Sequence, residues 1–249
     1  MNTLNKALKL RCYGDSLALP RIGVVSLEQT YLFQFTRFLE SFYGTPVHLI
    51  DRSKASATSI DLLSAQNHDD AYFGNEVDIQ IIHCGICDCA PRPLPSRVRG
   101  IVSRLPQFVK TRIIAGLHEN RGALLRNGFS WRVVDVDTFQ KTIYDWIDIC
   151  SRHAKRVYLI NIAPTNDETE AHSPGLRSSI NTYNQLLAQV AAKHESLCFL
   201  IDLNQMISAR LHRIDDLILK DDGHHITPTV HEWITETLIQ NEKLNRITL

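Results

Sequence analysis

Two short runs near opposite ends of the chain carry the residue types of nucleophilic catalysis. The first is Tyr13-Gly14-Asp15-Ser16-Leu17, directly after an apolar stretch that reads as a strand. A serine just past a strand's carboxyl end can expose its hydroxyl, and its own N–H can point at an oxyanion. Gly14 lets the chain turn sharply beside it. The second run is Asp221-Asp222-Gly223-His224-His225-Ile226-Thr227-Pro228. A nucleophilic serine needs a base, and the base needs an acceptor on its other ring nitrogen. His225 and Asp222, three apart on one loop, have the types for both tasks. Taken singly, each run also reads as an ordinary turn: Gly-Asp-Ser is common strand-to-loop chemistry, and Thr227 or Pro228 can simply start a last helix.

Other side chains gather at the same predicted loop ends. Arg21, Arg52 and Arg92 follow the first motif or a predicted strand end, where guanidinium groups suit a substrate carboxylate or phosphate. Acidic sugars fit that description. Each also reads, by itself, as a surface arginine paired with Asp51, Asp88 or Glu28. Arg121 and Arg126 invite the same two readings. Asp15 and Asp88 complete the substrate-binding candidates. His83 and His118 read as structural, because no partner spacing supports them. Cys84-x-x-Cys87-x-Cys89 has the look of a metal-ligand run, but no second pair at zinc spacing follows it. The six cysteines sit in apolar, strand-like segments and read as reduced, packed thiols of a cytoplasmic protein. No metal or organic cofactor is expected.

The elements that must position these residues are legible as alternation. Short apolar runs at 8–13, 46–50, 77–84, 156–162 and 197–203 carry Val, Ile, Leu or Cys on both faces, the pattern of strands covered on both sides of a parallel sheet. Helical spacing predicts helices over 27–42, 137–153, 179–192 and 233–241. Strand–helix alternation implies right-handed crossovers and a doubly wound α/β/α sandwich, and five strands predict the flavodoxin-like order 2-1-3-4-5. The segment 90–136 exceeds that pattern. Prolines break it early, 97–125 reads as mostly helical, and its length after strand three predicts a lid or substrate-binding insertion. No repeat or linker divides residues 1–249, so one domain is expected.

Composition narrows the partners. The chain has 249 residues, 44% hydrophobic, with 27 Lys+Arg against 27 Asp+Glu. That apolar fraction supports a core and excludes low-complexity disorder. Zero net charge removes the long-range field expected of a general nucleic-acid or anionic-membrane binder. No apolar run approaches the roughly 20 residues of a spanning helix. The sequence carries no signal for an oligomeric state.

Taken together, the two end motifs resemble the SGNH (GDSL) hydrolase family, whose marks are an N-terminal Gly-Asp-Ser and a C-terminal Asp-x-x-His. The resemblance implies Ser16 as nucleophile, His225 as general base and Asp222 as its orienting acid. It implies an oxyanion hole built from the Ser16 N–H, a glycine N–H after strand two and an asparagine in a Gly-x-Asn-Asp run after strand three. This chain departs in the middle. Strand two leads into Asp51-Arg52-Ser53-Lys54-Ala55-Ser56 without glycine, leaving Ala55 or Ser56 as main-chain donors. Strand three leads into Gly85-Ile86-Cys87-Asp88-Cys89-Ala90-Pro91-Arg92, with a thiol, a poor donor, at the asparagine position. Losing one donor costs roughly 3 kcal/mol unless something replaces it, and the Gly85 or Ile86 N–H or the Arg92 guanidinium are the candidates. The Asp-Cys-Ala-Pro-Arg run is similar to a variant subgroup of these hydrolases found among bacterial genes for surface polysaccharides. The implied activity is hydrolysis of an O-acyl or O-acetyl ester, most simply on a small-molecule or glycan substrate. The rivals are an acyltransferase with the same triad and a non-catalytic glycan-binding protein on a decayed hydrolase fold.

Overall fold

The computed structural model describes residues 7–210, 213–219 and 223–248. Five parallel strands form one sheet in the order 2-1-3-4-5, as alternation implies. Strand β1 (Leu8–Gly14) leads through a 3₁₀ turn at Ser16–Ala18 to helix α1 (Tyr31–Tyr43), then β2 (Val47–Asp51), α2 (Ser59–Phe73) and β3 (Val77–His83). The short α3 (Ile86–Cys89) opens the long segment, which folds as α4 (Ser96–Ser103), α5 (Gln107–Glu119) and α6 (Arg121–Arg126) before α7 (Val136–Cys150). Then come β4 (Ala154–Ile160), α8 (Asp167–His172), α9 (Leu176–Lys193), β5 (Cys198–Ile201), α10 (Leu203–Ala209), α11 (Ile214–Leu217) and α12 (Pro228–Leu244).

Each face of the sheet buries its own apolar layer. Leu8, Leu10 and Cys12 alternate along β1 toward one face, against Phe35 and Leu39 of α1 and Val230, Ile234 and Leu238 of α12. On the other face Tyr13, Ile82 and Leu159 meet Phe139, Ile143 and Trp146 of α7 and Leu187 and Val190 of α9. Burying each such side chain contributes about 1.5–3 kcal/mol, so the two layers fix the sheet between the helices. Strand β2 departs from the expectation of cover on both faces: it is the sheet edge beyond β1, and only Val47 and Ile50 are even half-buried.

Helix α2 has no apolar stripe, which is why spacing did not reveal it. Its inner face is Leu62, Gln66 and Asp69, and the two polar residues are buried by hydrogen bonding. Gln66 accepts from Gln80 (2.6 Å) and from the Trp146 indole, and Asp69 accepts from Tyr13 (3.1 Å) and Arg52 (2.7 Å). The sequence signal that remained is its start, a Thr58/Asp61 capping box.

Register places the site. Gly14 lies opposite His83 and Cys12 opposite Asp51, so the chain leaves β1, β2 and β3 at one level of the sheet. In an open α/β sheet that level, at the carboxyl ends where strand order reverses, is where ligands bind.

Candidate active site

The first wall of the site is built by close backbone contacts. A Cβ on Gly14 would come within 2.5 Å of the Ala18 Cβ and 2.7 Å of the Ser53 Oγ, so glycine alone fits there. Asp15, wholly buried, donates its N–H to the His83 carbonyl (2.9 Å) and accepts the Leu17 N–H on Oδ1 (2.9 Å). Those two bonds wind Ser16–Ala18 into the 3₁₀ turn and leave Ser16, half-buried, on a cavity of about 790 Å³. Burial pushes the Asp15 carboxyl up to about 7, and the neighbouring Asp88 adds to the shift. Asp15 therefore supports the turn from beneath instead of lining the cavity, a different place from the substrate-facing one expected of it.

The loop after β2 contributes a strained residue. The Lys54 N–H donates to the Gly14 carbonyl (2.9 Å), and the chain turns through Ser56 at φ 63°. Among the described residues Ser56 is the one non-glycine in the left-handed region, a conformation costing about 1–3 kcal/mol. It stands on the loop where the resembled family keeps a glycine, and with Ala55 it lines the cavity. Arg52 does not line it: its guanidinium is held by Asp69, tying the loop to α2.

After β3 the chain turns through Gly85 at φ 127°, where a Cβ would come within 2.7 Å of Ile162 Cδ1. Ile86 and Cys87 follow at the cavity wall. Cys87 is half-buried, and burial, with Asp15 and Asp88 nearby, pushes its thiol up to about 12. It stands there as a neutral thiol. Asp88 is turned away: fully buried, it accepts the Ser59 N–H (3.0 Å) and hydroxyl (2.7 Å) at the start of α2, where a carboxylate also complements the positive end of the helix dipole. Burial raises this carboxyl to about 6. Cys84 and Cys89 lie in the apolar layer and Cys12, Cys150 and Cys198 are likewise buried, all as free thiols.

The histidine arrives from the far end of the chain. His225 is 9% exposed, lines the same cavity as Ser16, and lies against His224 with ring centroids 4.2 Å apart and the planes tilted by 43°. Its carbonyl accepts the Leu219 N–H (2.7 Å), and Ile226 bridges to Ile218, pinning the loop just before Thr227 and the N1 proline of α12. Gly223 at φ 64° packs against Thr169, and its carbonyl accepts the Thr165 hydroxyl (2.8 Å). Asp221 and Asp222 lie outside the described residues.

The opposite wall joins the long segment, expected as a lid or substrate-binding insertion, to α8, for which no such role was expected. His118 of α5, Arg121 of α6, Glu168, Thr169 and His172 of α8, and Ser173 line the cavity together with Arg21 and Arg92. The His118 and His172 rings stand 5.1 Å apart, and burial with the neighbouring His118 and Arg121 charges lowers the His172 pKa. No motif marks His118, Arg121 and His172; the packing of α5, α6 and α8 carries them there. His83 is structural, as read: buried, bonded to the Tyr31 hydroxyl (3.1 Å) and kept neutral, its pKa pushed down to about 3 by burial.

No protein-family model matches the sequence, and no curated protein matches it. Solved structures do. A lipase/acylhydrolase from Enterococcus faecalis superposes with a TM-score of 0.60 at 17% identity over 95% of each chain. An α/β hydrolase from the metagenome of Lake Arreo, Spain, gives 0.61 at 20% identity, over 94% of this chain and 95% of that one. An acetylxylan esterase from Geobacillus stearothermophilus gives 0.60 at 14% identity, over 98% of this chain and 97% of that one. What is shared is the fold. The likeness spans nearly the whole of each chain. Among the described residues no helix is long and apolar enough to cross a membrane.

Proposed function

We propose that the protein is a serine-dependent ester hydrolase of the SGNH type, acting on an O-acylated, carbohydrate substrate. The observation that carries this reading is the convergence of Ser16 and His225, from opposite ends of the chain, on one cavity of about 790 Å³. That volume lies in the range of small-molecule sites. The structural neighbours bear on the substrate: one is named as an acetylxylan esterase, and another structure of that enzyme is named as a catalytic mutant with serine replaced by alanine.

His225, oriented by Asp222, takes the proton from the Ser16 hydroxyl as its oxygen attacks the ester carbonyl. The N–H groups of Ser16 and Ser56 are the donors for the oxyanion, whereas those of Gly85 and Ile86, the other candidates, lie toward the Asp15 carboxyl and temper the rise of its pKa. Collapse of the intermediate breaks the bond to the sugar oxygen, which takes the proton from His225 and leaves as a hydroxyl, and water, deprotonated by His225, then cleaves the acyl-enzyme to release the acid and free Ser16. The left-handed Ser56 supports its part in this: a serine held in a glycine conformation implies that the N–H direction matters there more than the strain. The segment 90–136 acts as the substrate-binding wall of the single domain.

Ser16→Ala is expected to lose turnover of 4-nitrophenyl acetate down to the uncatalysed background while its melting transition stays in place. Retained turnover overturns the mechanism. An acyltransferase differs only in the acceptor, and partition of the acyl group between water and an added glycan separates the two.

A further inference from the structure

Three guanidinium groups crowd one stretch of the cavity wall. Arg92 faces the reaction cavity and also a smaller one of about 330 Å³ between α4 and α5, lined by Leu94, Val102, Ile114 and Leu117. Its backbone is fixed by reciprocal hydrogen bonds with Trp131 (2.7 and 3.0 Å), so the side chain's origin is set independently of what the guanidinium binds. Its Nε is buried and has no hydrogen-bond partner. Arg121 lines both cavities too, and its contacts are neutral ones, the Ser173 hydroxyl (2.8 Å) and the Pro91 carbonyl. Arg99 lines the smaller cavity. The pKa values of Arg99 and Arg121 are both lowered, first by burial and then by the charge of Arg92, which lies between them in the field of each.

The acids that line the cavities do not balance Arg92 and Arg121. Among the described residues, the acid lining the reaction cavity is Glu168, exposed on α8, and none lines the smaller cavity. Like charges gathered at a partly dry wall repel one another unless an anion joins them, and the guanidinium fork matches carboxylate and phosphate oxygens two at a time.

We propose that Arg92, flanked by Arg121 and Arg99, binds an oxyanionic substituent, carboxylate or phosphate, on the molecule whose ester lies at Ser16. The identity of that molecule as an ester substrate rests on the function proposed above; the anion site itself does not. An acidic sugar meets the requirement, with its O-acyl group directed to Ser16 and its charge to the wall formed by the long segment.

The test uses Ser16→Ala protein, so that binding is read without turnover. D-Glucuronate, glucose 6-phosphate and methyl glucoside are titrated separately by NMR. At least one charged sugar is expected to bind about tenfold or more tightly than methyl glucoside, the factor one charge-assisted hydrogen bond contributes. Which one does so distinguishes carboxylate from phosphate. Adding Arg92→Gln is expected to abolish the preference, and Arg92→Lys to restore only part of it, since the charge returns without the fork. Neither charged sugar exceeding methyl glucoside, or a preference surviving in Arg92→Gln, overturns the proposal. Charge preference in a protein whose wild type never turns over an ester keeps the anion site and removes the hydrolase reading; turnover without the preference does the reverse.

Discussion

The two walls of the cavity are built on different principles. The wall made by the loops after β1, β2 and β3 is backbone: Gly14 and Gly85 admit no Cβ, Ser56 is held left-handed, and buried Asp15 and Asp88 bind main-chain N–H groups beneath it. The facing wall, from α5, α6 and α8, is side chain: His118, Arg121, Glu168 and His172 reach inward from helices. Backbone walls fix where N–H groups point and suit chemistry on one atom; side-chain walls vary in charge and shape and suit recognition. The division implies that substitutions on the first wall act through geometry and stability, and those on the second through what is bound.

The largest break should come at Gly85. Gly85→Ala places a Cβ 2.7 Å from Ile162 at φ 127° and is expected to cost about 2–4 kcal/mol in chemical denaturation; a loss below about 1 kcal/mol would remove the steric account. Asp15 gives a pH test. Its carboxyl is raised from 3.8 to about 7 in the folded protein, so the folded state holds the extra proton between those values. Stability contributed by this group is full below about pH 4 and is lost as pH rises toward 7, a fall of about 2–4 kcal/mol. Asp15→Asn should flatten that part of the stability–pH curve, leaving the smaller fall due to Asp88; an unchanged curve would contradict the buried-carboxyl assignment. Ser56→Gly should raise stability by about 1 kcal/mol by releasing the left-handed strain; no gain would mean the turn is not strained. On the side-chain wall, His118→Ala should shift unfolding by less than about 0.5 kcal/mol, and a loss comparable to that of Gly85→Ala would erase the contrast.

The same division explains what was legible in the sequence. Strands β1, β3 and β4 announced themselves because they are covered on both faces, and the strand order followed from their alternation with helices. The Gly-Asp-Ser run stood out because a backbone wall demands particular residues at particular spacings, and the Asp-x-x-His run because a base and its acceptor can share one loop. Helix α2 escaped because its buried stripe is Gln66 and Asp69, whose cost of burial is met by hydrogen bonds that only the tertiary structure supplies. Arg52 and Asp88 sit where site residues are expected, yet bind Asp69 and Ser59, because position after a strand does not say which way a side chain turns. His118, read as structural, Arg121, left between two readings, and His172, not singled out at all, illustrate the opposite case: no spacing relates them to Ser16, and only the packing of α5, α6 and α8 brings them to the cavity. Their recognition requires the fold.

The central claim is that the backbone wall presents Ser16 as a nucleophile activated by His225. Reaction with a fluorophosphonate, followed by intact mass and peptide mapping, tests it without any assumption about substrate. The account predicts a single covalent adduct on Ser16 that is absent in Ser16→Ala and slowed at least about 10³-fold in His225→Ala. No adduct on folded wild-type protein, or labelling at Ser16 that is indifferent to loss of His225, would contradict it.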